Sequence, residues 1–285
     1  MLGGENKSRP LGYTIIEIMI VLAVSGVMFL IAASFISGRQ SRTAFNEGVN
    51  NMASNIQDVI QQVVSGKYSD AALTCTFDGS SLSIQPPGVG NSQTQGTNAS
   101  CVFLGKVVYF NYDPNNRDSS YEIFTLAGGR EDASGNPFTS PGAAYATVVT
   151  PDSSEPALDL TDRQVTPQNL KVLKVTANGS TLTYGVGFFQ NAALTSGGQT
   201  ANGTETINMY YVSPKLAVGS NNENSAKAEV SNHALNSLKP ATSADICISD
   251  GKLYAEILLG TPAGAVSSNG NQLVANVKMD STNPC

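Results

Sequence analysis

Twenty-four consecutive residues, Tyr13–Ile36, carry one charged side chain, Glu17. As a helix, such a run is long enough to cross a bilayer core of about 30 Å. A carboxylate inside it costs about 2.5–3.5 kcal/mol at the bilayer centre and less near an interface, which makes Glu17 a functional candidate by default. No break signal follows. Beyond Gly38, the residues Phe45, Val49, Met52, Ile56, Val59, Ile60 and Val63 recur at steps of three and four, with Arg42, Asn46, Glu47, Asn50, Gln57, Asp58 and Gln61 between them. That is one apolar stripe on a helix. Ser65-Gly66 supplies the stop, with Gly66 suited to a left-handed C-cap. A helix over Thr14–Ser65 would be about 80 Å long, more than a domain needs for its own core. The first half, 13–36, reads as a membrane span and the second, 37–66, as amphipathic. The stripe is expected to pack against a sheet; a contact surface for neighbouring chains is the alternative use.

Residues 1–12 are short and polar, and Lys7 and Arg9 place positive charge just before the apolar run, which holds that end in the cytoplasm. Basic Lys7, Arg9, Arg39 and Arg42 balance acidic Glu5, Glu17, Glu47 and Asp58, so the net charge of −6 lies wholly in residues 67–285. An acidic head without a basic stripe argues against binding to phosphate backbones, whose affinity comes from Lys and Arg releasing counterions.

From Lys67 onward the apolar period becomes two. Strands are expected at Val102–Phe110, Tyr121–Leu126, Ala146–Thr150, Leu170–Thr176, Leu182–Phe189, Ile207–Val212, Ile246–Ser249, Leu253–Leu259 and Leu273–Met279. Asn178-Gly179 is the strongest hairpin signal, and Ser249-Asp250-Gly251-Lys252 marks a second. Gly79–Ala99, Ala127–Ala143, Thr150–Asn169 and Ser213–Ser243 read as loops, the last with a short helix within Asn224–Leu238. Charged residues are sparse at 13% and Trp is absent, as in β-rich extracellular domains with polar loops.

The four cysteines, Cys75, Cys101, Cys247 and Cys285, show no CxxC spacing. An even count in a head outside the cell reads as two disulfides with three possible connectivities. Cys75–Cys101 with Cys247–Cys285 is the favoured set, and four buried thiols the alternative. Catalytic signals are weak: His233 is the single histidine, and there is no Walker loop, GxGxxG or HExxH. No cofactor is expected. Asp113, Asn115 and Asp118 place oxygens at alternate positions, as calcium loops do, but Arg117 intrudes and no distal Glu follows, so a plain turn is the competing reading. Asp245 and Asp250, beside a predicted strand, are weaker still.

At Gly12-Tyr13-Thr14-Ile15-Ile16-Glu17 the chain resembles the processing signal of type IV prepilins and pseudopilins. A short basic leader, Gly before an aromatic residue, a carboxylate five residues into the mature chain and an uninterrupted apolar span coincide. The resemblance covers about a quarter of the chain. It implies cleavage between Gly12 and Tyr13 by a membrane prepilin peptidase, and methylation of the new Tyr13 amine. It also implies storage as a single-pass protein of the cytoplasmic membrane, and later uptake into an extracellular filament by an inner-membrane assembly platform. In the filament, Glu17 is expected to pair with the Tyr13 amine of a neighbouring subunit; the alternative leaves Glu17 near the interface, favoured by the helix dipole. One departure is Ser34, where many pilins carry a helix-breaking Pro.

The expected fold is α+β: a long N-terminal pilin helix, transmembrane in its first half and amphipathic in its second, packed on an antiparallel, β-rich, sandwich-like head. The leader is 1–12, the helix 13–66 and the head 67–285. The expected function is structural, not enzymatic: a filament subunit for adhesion, motility or surface attachment. Alternatives are a pseudopilin of a type II secretion-like machine or a minor DNA-uptake pilin. A fourth reading, a signal-anchored secreted hydrolase, rests on Ala32-Ala33-Ser34 as a conventional signal peptidase site.

Overall fold

The computed structural model describes residues 13–66, 74–78, 81–85, 101–110, 120–129, 134–136, 138, 143–149, 161–179, 181–191, 206–212, 223–231, 233–234, 238–260 and 273–280, and for some of these, 33–39 included, the backbone only. Helix α1 covers Ile15–Val64. The chain divides into two compact units, Met1–Ala44 and Phe45–Cys285.

In the first unit, every described side chain from Tyr13 to Ala32 is exposed. The stretch apolar enough to cross a membrane is Ile15–Ala32. A single apolar helix of this kind near an N-terminus is a membrane anchor or a signal sequence.

The second unit opens with the last turns of α1. Its described strands, in chain order, are β1 (Thr74–Phe77), β2 (Leu82–Gln85), β3 (Cys101–Phe110), β4 (Ser120–Gly129), β5 (Tyr145–Val148), β6 (Thr161–Val165), β7 (Lys171–Ala177), β8 (Thr181–Leu182), β9 (Gly185–Asn191), β10 (Thr206–Val212), β11 (His233–Ala234), β12 (Lys239–Ala241), β13 (Ser243–Ser249), β14 (Tyr254–Gly260) and β15 (Val274–Asp280). A short helix α2 (Glu223–Val230) precedes β11. β1 and β2 pair alone, an eight-stranded sheet runs β11-β5-β4-β3-β9-β10-β12 with β6 beside β4, and a five-stranded sheet runs β15-β14-β13-β7-β8.

Period-two burial explains how these sheets stack. Tyr121 and Ile123 of β4 turn one way, into a core shared with Phe45, Val49, Met52, Ile56, Val59, Ile60 and Val63 of α1 and with Val175, Ile246 and Ile257 of the five-stranded sheet. Phe124 and Leu126 turn the other way, to meet Val107, Tyr109, Ala146 and Val230 in a second core. β4 is therefore apolar on both faces, which gives the near-continuous run Tyr121–Leu126 where a half-exposed strand would alternate. Each fully buried aliphatic side chain on the α1 stripe is worth about 1.5–3 kcal/mol against exposure. Polar groups reinforce the seating: Asn55 donates to the Tyr121 hydroxyl at 3.1 Å, and Lys106 donates to Gln62 at 2.6 Å.

The expected fold class needs correction. Among the described residues strand outweighs helix, 50% against 33%, and the molecule is a mostly antiparallel β protein rather than an α+β one with a pilin helix laid on a sandwich-like head. The apolar segment belongs to its own unit, and the turns from Phe45 onward are one component of a core otherwise built by two sheets. The physical reason is that the predicted loops also hold strands. Thr150–Asn169 contains β6, Gly79–Ala99 contains β2, Ala127–Ala143 begins inside β4, and Ser213–Ser243 contains α2, β11 and β12. The helix expected within Asn224–Leu238 ends at Val230. One predicted strand, Leu182–Phe189, is split between the two large sheets as β8 and β9.

Candidate functional site

The first turn of α1 brings together the residues that the sequence singles out. Thr14 is the N-cap: the N–H of Ile18 donates to the Thr14 carbonyl at 3.2 Å, and the Glu17 N–H donates to Thr14 Oγ1 at 3.4 Å. Thr14-Ile15-Ile16-Glu17 thus has the spacing of a capping box, in which the cap side chain satisfies an orphan N–H three residues on. Thr14 is not among the residues expected to act, although the Thr-x-x-Glu pattern before an apolar run is its signal in the sequence. Glu17 falls in the first turn, where the partial positive charge of the helix N-terminus favours a carboxylate. Tyr13 is 80% exposed beside it. Gly12 lies outside the described residues.

From Ile18 to Ala32 every side chain but that of Ser25 is apolar. Ile15, Met28 and Phe29 are 80%, 68% and 74% exposed. An exposed apolar stretch of this size needs lipid or other apolar surface around it. The arrangement can therefore do two things chemically: place a carboxylate at the head of an apolar rod, and insert that rod into a non-aqueous environment.

The disulfide expectation holds where it can be seen. Cys75 and Cys101 are bonded, joining β1 to β3 with Cα atoms 5.1 Å apart. Ala127, Val149 and Ile84 surround that link. Cys247 of β13 is also disulfide-bonded; its expected partner Cys285 lies outside the described residues. Disulfides of this kind belong to chains that fold in oxidising compartments, which with the N-terminal apolar helix suggests an extracellular body.

The weaker candidates are dispersed. Asp113, Asn115 and Asp118 lie outside the described residues. Among the described residues no three His, Cys, Asp or Glu side chains gather as metal ligands would. Asp250 is occupied by its own turn, its Oδ1 accepting from the N–H groups of Lys252 at 2.8 Å and Leu253 at 2.7 Å. His233 is in β11, where the backbone pairs with Ala146. A cleft of about 200 Å³ opens over the eight-stranded sheet, lined by Phe189, Tyr210, Tyr211, Glu229, Val230 and Lys239 among others. Lys239 stands over the Tyr211 ring at 5.8 Å. Burial pushes the Tyr210 hydroxyl above its ordinary range, against a hydrogen bond with Asn208 that lowers it. A phenol held protonated in this way is a poor general base.

Comparisons of the chain with family models, with curated proteins and with solved structures each find no match.

Proposed function

We propose that this chain is a structural subunit of a type IV pilus or a related filament, anchored in the cytoplasmic membrane by Ile15–Ala32 until it is assembled, with its disulfide-bonded β body outside. The observation that carries this reading is the exposed apolar stretch Ile15–Ala32 with Glu17 as its one charge, placed in the first capped turn directly after Gly12-Tyr13. Lipid satisfies such a helix in the stored subunit, and neighbouring helices satisfy it in the filament. Glu17 of one subunit pairs with the Tyr13 amine of the next, and because desolvation offsets much of that attraction, the pair sets register more than it adds stability. The partners are a prepilin peptidase, an assembly platform and further copies of subunits. The acidic charge balance of residues 67–285 places surface attachment or plain filament building ahead of DNA capture.

Mass spectrometry of the mature N-terminus tests the reading. The expected species begins at N-methylated Tyr13; a chain beginning at Phe35 would overturn it in favour of a secreted protein released after Ser34. Glu17→Ala should insert in the membrane normally and yet be depleted from sheared surface filaments seen by electron microscopy. Unchanged incorporation would sink the pairing.

A further inference from the structure

The chain passes from the eight-stranded sheet to the five-stranded sheet between β12 and β13, and one exposed side chain from another hairpin ties that corner down. Asn178 opens the β7–β8 turn with φ of 52°, followed by Gly179 at 80°. Both residues are left-handed, a conformation that Asn and Gly adopt most readily, and they stand in the three-residue connection between the paired Ala177 and Thr181. Both ends of the Asn178 amide are engaged. Its Oδ1 accepts from the Thr242 N–H at 2.8 Å and from Thr242 Oγ1 at 3.1 Å, while its Nδ2 donates to the Pro240 carbonyl at 3.1 Å. The backbone N–H of Asn178 donates to Ser243 O at 3.0 Å.

Asparagine followed by glycine is also the pair most open to spontaneous cyclisation. The glycine backbone nitrogen gives up its proton to water and attacks Cγ of the asparagine. A carbon–nitrogen bond forms, and the side-chain nitrogen leaves as ammonia after taking up a proton. Water then opens the five-membered imide at one carbonyl or the other, leaving aspartate or isoaspartate. Nothing but water is consumed.

We propose that Asn178 is a latent deamidation site whose reaction is gated by the Pro240–Ser243 corner. Attack requires Cγ to come within about 3–3.5 Å of the Gly179 nitrogen with its carbonyl face turned toward it. That swing breaks the bond to Pro240 and draws Oδ1 off Thr242. The same two donors on Oδ1 polarise the amide as an oxyanion hole does, which favours attack. Restraint outweighs activation here, because the reacting atoms cannot meet until the tether is released. Once formed, aspartate sets a carboxylate oxygen against the Pro240 carbonyl with no proton to share. Isoaspartate adds a methylene to the backbone of the short β7–β8 connection. Either product undoes the tie between hairpin and corner, so the modification both follows opening of that corner and makes it permanent.

The test is the deamidation rate of Asn178 in the full-length protein, followed by peptide-mapping mass spectrometry at mildly alkaline pH, native and in urea. Asn202 and Asn269, each also followed by glycine, calibrate the intrinsic rate in urea. The expected native rate at Asn178 is at least about tenfold below its own rate in urea, as reaction through a locally opened state requires; equal rates overturn the gate. Thr242→Val, with circular dichroism unchanged, should deamidate at Asn178 several-fold faster than the native protein, whereas an unchanged or slower rate overturns the restraint in favour of activation. Should that variant not fold, the native-against-urea comparison decides alone.

Discussion

Asp245 is half-buried on β13, and burial first, then the nearby Glu256 carboxylate, pushes its carboxyl above the ordinary range. A carboxyl whose folded pKa is raised binds its proton more tightly in the native state than in the unfolded one. Stability from this group is therefore greatest below the unfolded pKa and falls as pH rises through the folded value. Asp245→Asn should raise Tm at neutral pH relative to the parent and leave it nearly unchanged in strong acid, measured by thermal melts at both pH values. A second residue whose role is steric is Gly105 in β3, where the register with β4 shifts. A Cβ there would lie 2.1 Å from the Phe188 carbonyl oxygen of β9. Gly105→Ala forces two paired backbones apart and should cost more than about 2 kcal/mol, read from the urea midpoint.

At the scale of elements, the Cys75–Cys101 link closes a loop with a sequence separation of 26. Replacing both with Ser should cost about 3–4 kcal/mol in the chain-entropy account, seen as a lower urea midpoint under oxidising conditions. Ile56→Ala, at a fully buried position of α1, should cost about 2–5 kcal/mol in the same assay. Each of the nine strands expected from alternation or apolar runs has a counterpart here, because burial on one or both faces writes itself into local sequence. Two of the strands that escaped notice, β6 and β12, had no such imprint. β6 reads Thr161-Asp162-Arg163-Gln164-Val165 and is largely exposed, with Arg163 at 3.1 Å from Glu122 across the pair. β12 reads Lys239-Pro240-Ala241 and lies at a sheet edge, where proline is tolerated. The split of Leu182–Phe189 was equally hidden, since alternation continues through Thr183 although its buried hydroxyl bonds Gly185 O and Val212 O and sends the chain to another sheet. Sheet membership is decided by distant partners, and no local pattern records it. In the candidate site, Glu17 and Tyr13 were legible as anomalies of charge and position, while the cap by Thr14 was overlooked beside them.

For the whole molecule, the division at Ala44/Phe45 predicts that residues 45–285 form a soluble, cooperatively melting protein, whereas removal through Gly66 takes out Phe45, Val49, Met52, Ile56, Val59, Ile60 and Val63 and should leave an aggregating chain. Size-exclusion chromatography and calorimetry of the two fragments check this. The amide of Gln57 on α1 stands in for a neighbouring strand at β15: its Oε1 accepts from the Ala275 N–H at 2.9 Å and its Nε2 donates to Leu273 O at 3.5 Å. These partners are more than two hundred residues apart, so the first helix and the last of the described strands complete each other. A body wired in this way has high contact order, and this pairing must await residues more than two hundred positions beyond the helix. Until those residues are available the five-stranded sheet lacks β15 at its edge, and for that interval the fate of the chain is a matter of completion rate against misfolding rate rather than of native stability.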